Sequence, residues 1–231
     1  MIGGTARLLA AAGQAGIGKL VGISSIGVLD YPVLPPMSVV DETAAVANCP
    51  GFMGQYASIK ARQEEMFRAY GQDGAARCVM LRPGLVYDDT RLISAHAGIL
   101  KGPVRWLIAH EGQVPTVEVR GLARAIVDAT ERALPDKTVL HLVDDHLPSQ
   151  SAYIEGLRRR GLLAGGSMMV SWRVASCMAR MARLGLSAVG LRAKVPEALL
   201  PHSFASRFKP FRYSNTRAKE LLGWVPAAQF Q

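Results

Sequence analysis

The chain has 231 residues, 49% of them hydrophobic, which predicts one large or two small domains with a substantial apolar core. Its three cysteines, Cys49, Cys78 and Cys177, are few, odd in number and far apart, which excludes a disulfide framework and a cysteine metal cluster and indicates a cytoplasmic protein. The formal net charge of +9 suits anionic ligands, and because no recognised nucleic-acid-binding motif accompanies it, we expect no nucleic-acid partner.

Helical and strand patterns alternate along the chain. The opening residues Met1–Gly4 lack the pattern of a signal peptide, and apolar spacing predicts a helix over residues 4–15 and a strand over 19–24. Prolines among small residues predict a long loop over 29–53. Further helices are predicted at 54–70, 119–134 and 149–160, and further strands at 77–82 and 138–143. This alternation indicates an α/β fold with a parallel sheet.

The remaining regions are less regular. The sequence pattern of residues 88–116 predicts helix and loop, and that of the chain from 161 onward predicts a mainly helical lobe. We therefore place a domain at 1–150 and a C-terminal lobe at 151–231. The longest uncharged run of the segment 161–191, Gly161–Trp172, is too short to span a bilayer, which needs roughly 20 apolar residues. The Arg173–Arg183 part suits a helix of the lobe or an amphipathic helix on a membrane surface; we expect the former and no membrane contact.

Tyr56 and Lys60 stand four residues apart in the predicted helix 54–70, so their side chains share one face. A lysine ammonium beside a phenol favours the phenolate, which makes a tyrosine usable as an acid or base near neutral pH. Glu64 and Glu65 fall outside the apolar stripe of the same helix.

Three signals stand in order around this helix: Ser24-Ser25 at the end of one strand, Tyr-x-x-x-Lys on the helix, and Arg82-Pro83-Gly84 at the end of the next strand. The stretch Tyr213–Pro226 closes the chain with Leu-Gly-Trp-Val-Pro. With these motifs the chain resembles the extended short-chain dehydrogenase/reductase family, which includes NAD-dependent epimerases and dehydratases. The resemblance covers nearly the whole chain.

The resemblance implies roles for the residues that match the family motifs. Tyr56 would be the acid/base, Lys60 would bind the nicotinamide ribose and polarise the tyrosine, and Ser25 would hydrogen-bond the reacting oxygen, with Ser24 as the adjacent alternative. The implied cofactor is NAD or NADP, held by Tyr56, Lys60 and the backbone of Pro83, Gly84, Leu85 and Val86. The implied substrate is a small molecule such as a nucleotide sugar. No histidine spacing suggests a metal site.

The family's glycine-rich turn is absent from the 231 residues, since no G-x-x-G-x-x-G follows a strand. At roughly 30 residues per βαβ unit, about 75–90 residues of the family's nucleotide-binding domain have no counterpart here. The resemblance therefore implies a partial Rossmann-like sheet whose strand at 19–24 is an exposed edge. Another polypeptide could supply the rest, and the implied partners are a complementing N-terminal chain or a homo-oligomer.

Two functions remain open from the sequence. The first is an NAD(P)-dependent epimerase or reductase; dehydration is disfavoured because no acidic pair stands beside Ser25. The second is a non-catalytic remnant or interaction module that keeps the second half of the fold. It is favoured by two departures from the family pattern, Leu85 where many epimerases have asparagine and Asp88 after Tyr87 where glycine is common.

Overall fold

The computed structural model describes residues 2–48, 53–72, 76–101, 104–109, 111–163, 166–191, 194–226 and 230. The α-helices in this part of the chain are α1 (Ile2–Gln14), α2 (Gln55–Gln72), α3 (Val119–Glu131), α4 (Gln150–Arg159), α5 (Trp172–Ala188), α6 (Pro201–Phe208) and α7 (Thr216–Leu222). The strands are β1 (Lys19–Ile23), β2 (Val39–Val40), β3 (Arg77–Pro83), β4 (Leu85–Tyr87), β5 (Ile99–Lys101), β6 (Val104–Ala109), β7 (Thr116–Glu118), β8 (Val139–Leu142), β9 (Gly166–Ser171) and β10 (Arg212–Tyr213).

The central sheet is parallel, with the strand order β1-β3-β8. These are the three strands that the sequence predicts, and helices α1 to α4 lie within a few residues of their predicted bounds. Ser149 begins α4 as its N-cap, because its hydroxyl accepts a hydrogen bond from the Ala152 N–H at 3.2 Å. The fold is α/β with a partial Rossmann-like sheet, as predicted.

Helices cover the two faces of the sheet differently. On one face, α3 and α7 pack on an apolar cluster whose sheet members alternate along β3 and β8: Val79, Leu81, Leu140 and Leu142. On the other face, α2 packs on β3, and a Cβ at Gly22 of β1 would lie 3.2 Å from Phe67 Cδ1 of α2 and 2.8 Å from Met80 Cε of β3. Trp224 of the closing motif is buried in the first face and its indole N–H donates to the Val143 carbonyl at 3.3 Å.

Two predictions from the less regular regions need correction. Among the described residues of 88–116, the helical part is the 3₁₀ turn Ala95–Ala97, whereas β5 and β6 form an antiparallel pair. The segment after 161 includes a strand, β9, which pairs in parallel with β6 before α5 begins. Strands β6 and β9 are some 60 residues apart in the chain. Local apolar spacing carries no information on such distant partners.

The loop predicted at 29–53 has no long regular element in its described residues 29–48, but much of it is buried. Its strand β2 pairs with β10, and Tyr31 and Leu29 lie in an apolar cluster with Phe211 and Ala205 of α6. This packing ties the loop after β1 to the C-terminal part of the chain.

Strand β1 lies at the edge of the sheet, and within the described residues its partner is β3. Ile23 of β1 and Leu8 of α1 are 43% and 55% exposed. Such an apolar parallel edge is the exposed edge expected from the sequence. None of the described helices has both the length and the apolar composition needed to cross a membrane.

Candidate active site

Polar side chains recur every four residues along the face of α2 that meets the end of β1. Tyr56, Lys60, Glu64 and Arg68 are spaced by one helical turn each. Lys60 and Glu64 hold the strand: the Lys60 ammonium donates to the Ile23 carbonyl at 2.9 Å, and Glu64 accepts from the Ser24 hydroxyl at 2.8 Å. These bonds fix the first turn of α2, which carries Tyr56, beside the strand end.

Glu64 belongs to a buried ionic network, although its spacing along α2 predicted only a position outside the apolar stripe. Its carboxylate accepts two hydrogen bonds from the Arg82 guanidinium, one of them from Nε at 3.2 Å, and one from Arg68 at 3.2 Å. The Glu64 and Arg82 side chains are each 3% exposed. The Arg-Pro-Gly motif therefore supplies a buried counterion for α2.

The two serines after β1 have different surroundings. Ser24 is buried and its hydroxyl is committed to Glu64. Ser25 is half-buried, and its Oγ accepts a hydrogen bond from the Gly27 N–H at 3.0 Å at the start of a 3₁₀ turn, Ile26–Val28. Because Oγ is the acceptor in that bond, the Ser25 hydroxyl proton can be donated to a ligand.

Five of the residues predicted from the sequence meet in one cleft of about 370 Å³: Ser25, Tyr56, Gly84, Leu85 and Val86. Tyr56 is 56% exposed there, and its hydroxyl has no hydrogen-bond partner among the described residues. Other cleft-lining side chains come from distant segments, among them Tyr31, His96 and Arg207. Burial raises the pKa of Tyr31 well above its usual value, so that phenol stays protonated.

Lys60 and Ser24 line a second cavity, of about 330 Å³, between α1, β1 and α2. This cavity adjoins the cleft through the Ile23–Ser25 backbone, so the two sites share the end of β1. Burial lowers the pKa of the Lys60 ammonium. One of its three protons goes to Ile23, which leaves two for a ligand in this cavity.

The turn between β3 and β4 depends on a glycine. A Cβ at Gly84 would lie 2.1 Å from the Pro115 carbonyl oxygen, so any larger residue would push the two segments apart. The Leu85 N–H donates to the same oxygen at 2.6 Å, which directs the backbone of Leu85 and Val86 along the cleft. Pro83 is buried as the last residue of β3 and does not line the cleft.

These residues fit the reactive end of a nicotinamide cofactor better than its phosphates. Tyr56 and the Gly84–Val86 segment line the cleft, and Lys60 lines the neighbouring cavity, so polar groups are available in both. No turn among the described strand–helix connections is a glycine-rich cradle for a pyrophosphate. The described His, Cys, Asp and Glu side chains form no group of three that could hold a metal ion.

No sequence pattern predicted the cleft-lining residues that belong to distant parts of the chain. Arg207 belongs to α6 and His96 to the 3₁₀ turn before β5, and no local motif marks either of them. Glu64 had a signal, since it continues the four-residue spacing of Tyr56 and Lys60. Its burial depends on Arg82, 18 residues away, which local patterns do not reveal.

The fold resembles solved nucleotide-sugar enzymes. UDP-glucuronic acid 4-epimerase from Bacillus cereus, in complex with NAD, matches with a TM-score of 0.65 and 15% identity, over 98% of this chain and 62% of that chain. UDP-glucose 4-epimerase from Thermotoga maritima, with UDP-glucose, matches with a TM-score of 0.64 and 15% identity, over 98% of this chain and 64% of that chain. The dTDP-glucose 4,6-dehydratase of Bacillus anthracis, with NAD, matches with a TM-score of 0.64 and 16% identity, over 98% of this chain and 62% of that chain.

This chain has the fold of these epimerases and dehydratases. It spans less than two thirds of the length of each of the three. The resemblance predicted from the sequence is thus confirmed at the level of the fold. No protein-family description matches the chain, and no curated protein matches it in sequence.

Proposed function

We propose that this chain is the catalytic and substrate-binding part of an NAD(P)-dependent epimerase or reductase of the extended short-chain dehydrogenase/reductase family. The observation that carries the proposal is the meeting of Ser25, Tyr56 and the Gly84–Val86 backbone in one cleft, from three separate segments of the chain. The substrate we infer is a nucleotide sugar or a related hydroxyl or carbonyl compound.

The proposed chemistry rests on proton movement at a single oxygen of the substrate. Tyr56 lines the cleft beside Ser25; as phenolate it would take the proton from a substrate hydroxyl, and as phenol it would donate one to a carbonyl. The Ser25 hydroxyl donates to the same oxygen and keeps it in place. Lys60, one turn further on α2, would bind a hydroxyl of the cofactor in the neighbouring cavity. A bound nicotinamide would supply the redox chemistry.

Positive charge supports an anionic substrate. Arg207 lines the cleft, and its nearest carboxylate partner, Glu197, is 3.9 Å away at the limit of an ion pair. A guanidinium held this loosely can form a bidentate contact with a phosphate. The pyrophosphate of a nucleotide sugar would suit this position.

The open edge of β1 bears on how the cofactor would be held. A strand added in parallel to β1 would cover the exposed Ile23 and close the cavity beside Lys60. A homo-oligomer could cover this edge but would bring no glycine-rich turn, since none follows a strand in the 231 residues. We therefore propose that a cofactor-binding unit of a complementing chain adds there. Its turn would bind the pyrophosphate of NAD or NADP. In keeping with the sparse cysteines, we infer a cytoplasmic location.

A second candidate function is a non-catalytic interaction module. It is favoured by the same open edge, which can pair with a strand of another protein without any chemistry. Leu85 in the cleft, where a polar substrate contact would be expected from the family, also favours it.

Cofactor-dependent turnover separates the two functions. The chain would be compared with a hybrid in which the N-terminal nucleotide-binding half of a structural neighbour precedes residue Ile2. We expect the hybrid to change NADH or NADPH absorbance with carbonyl substrates, or to interconvert epimers of a nucleotide sugar, and the 231-residue chain to show little turnover. A folded hybrid that binds the cofactor but has no turnover would favour the interaction module.

A further inference from the structure

Helix α5 exposes an apolar stripe to solvent. Val174, Met178 and Met181 follow one another at helical spacing and are each more than half exposed, and Leu184 continues the stripe. The opposite side of α5 is the one that packs on the protein: Ala175 and Ala179 are buried against Ile108, Phe204 and Phe208. The stripe is therefore an outer face and not a part of the core.

The stretch of sequence that contains α5 carries charge of one sign. No aspartate or glutamate occurs between Glu155 and Glu197, whereas that stretch holds eight basic residues: Arg158, Arg159, Arg160, Arg173, Arg180, Arg183, Arg192 and Lys194. Arg173 and Arg180 flank the exposed stripe on α5 and are themselves exposed. Of the exposed large apolar side chains, many lie in this same segment, including Met168, Met169 and Val189.

The sequence pattern alone favoured a helix of the lobe without membrane contact, but the exposure of the stripe reverses that expectation. We propose that the outer face of α5 binds the surface of an anionic phospholipid bilayer. The combination of an apolar stripe with flanking arginines is that of an interfacial helix, which lies in the plane of the membrane. At 1.5 Å per residue, the 17 residues of α5 form a rod of about 25 Å, along which methionines enter the acyl boundary while arginines contact phosphates. The cleft of Ser25 and Tyr56 would then work beside a membrane.

The charge also argues against a second copy of the chain as the occupant. A symmetric dimer would place the same face on both partners, so Arg173 and Arg180 of one copy would approach those of the other. No acidic side chain in the stretch could compensate this repulsion. An anionic surface meets both requirements, apolar contact and negative charge.

Vesicle sedimentation tests the proposal with the 231-residue chain. We expect it to bind phosphatidylcholine vesicles that contain phosphatidylglycerol much more tightly than vesicles of phosphatidylcholine alone. R173Q/R180Q should weaken binding roughly 25-fold, at about fivefold for each arginine. M178Q/M181Q should weaken it on the order of tenfold or more. The matched controls R124Q and L8Q/V127Q change exposed residues of α1 and α3, and should leave binding nearly unchanged.

Several outcomes would overturn the proposal. It fails if the anionic vesicles do not bind, if neutral vesicles bind as well, or if the control variants weaken binding as much as the α5 variants. It also fails if the chain is a dimer in solution that M178Q/M181Q dissociates, since the occupant would then be a second copy. Circular dichroism of every variant checks that the substitutions on the surface leave the fold intact.

Discussion

The buried pair Glu64–Arg82 should make α2 sensitive to the loss of one charge. Glu64→Gln removes the carboxylate and leaves the Arg82 guanidinium in a site where its side chain is 3% exposed. Removing one partner of a buried ion pair costs about 3–5 kcal/mol. Arg82→Met should cost less, because Glu64 keeps the hydrogen bonds from Ser24 and Arg68. The double variant should recover much of the loss, since no unpaired charge remains buried.

Urea unfolding followed by circular dichroism measures these free energies. With a slope of about 2–3 kcal/mol per molar for a chain of this size, Glu64→Gln should lower the midpoint by roughly 1–2 M. The matched control is Glu65→Gln, which breaks an exposed pair with Arg62 and should cost only about 0–1 kcal/mol. The reasoning is refuted if Glu64→Gln costs no more than Glu65→Gln, or if the double variant loses as much as the sum of the two single variants.

Three further predictions concern the strand ends. Burial lowers the pKa of His141 to about 3, against about 6.5 in the unfolded chain, so its contribution to stability is complete above pH 6.5 and is lost as pH falls towards 3. At pH 5 the folded chain should have lost about 2 kcal/mol of stability through this group. The urea midpoint of His141→Leu should therefore depend less on pH than that of the unchanged chain. Gly84→Ala should lower the free energy of unfolding by about 1–3 kcal/mol in the same assay, because its Cβ would meet the Pro115 carbonyl; an unchanged midpoint would contradict that contact. Ser24→Ala should lower the free energy of unfolding and leave turnover of the hybrid nearly unchanged, whereas Ser25→Ala should lower turnover and leave the free energy of unfolding nearly unchanged. If the two variants change both quantities alike, the two hydroxyls do not differ in role.

Local patterns were enough to predict the central sheet. The strands β1, β3 and β8 are short apolar runs separated by helical patterns, and a parallel sheet covered on both faces produces that alternation. The sequence order also placed Ser25 and Tyr56 on neighbouring elements, and both line one cleft; their chemical roles stay a prediction.

Other features depend on partners that the sequence does not place. Strand β9 forms by pairing with β6, and its own residues are mostly exposed, so they lack the apolar alternation of a half-buried strand. The burial of Glu64 follows from Arg82 on another strand, and the position of Arg207 follows from the packing of α6. Each of these requires the tertiary fold, because the decisive contact joins residues far apart in the chain.

The role of Tyr56 is the central claim, and turnover of the hybrid after Tyr56→Phe tests it most directly. The matched control is Tyr70→Phe, which removes a phenol from the same helix outside the cleft. General acid–base catalysis contributes typically ~10²–10⁴-fold, so Tyr56→Phe should reduce kcat by that order while Tyr70→Phe leaves it nearly unchanged. Full activity of the Tyr56→Phe hybrid would contradict the account, whatever the substrate.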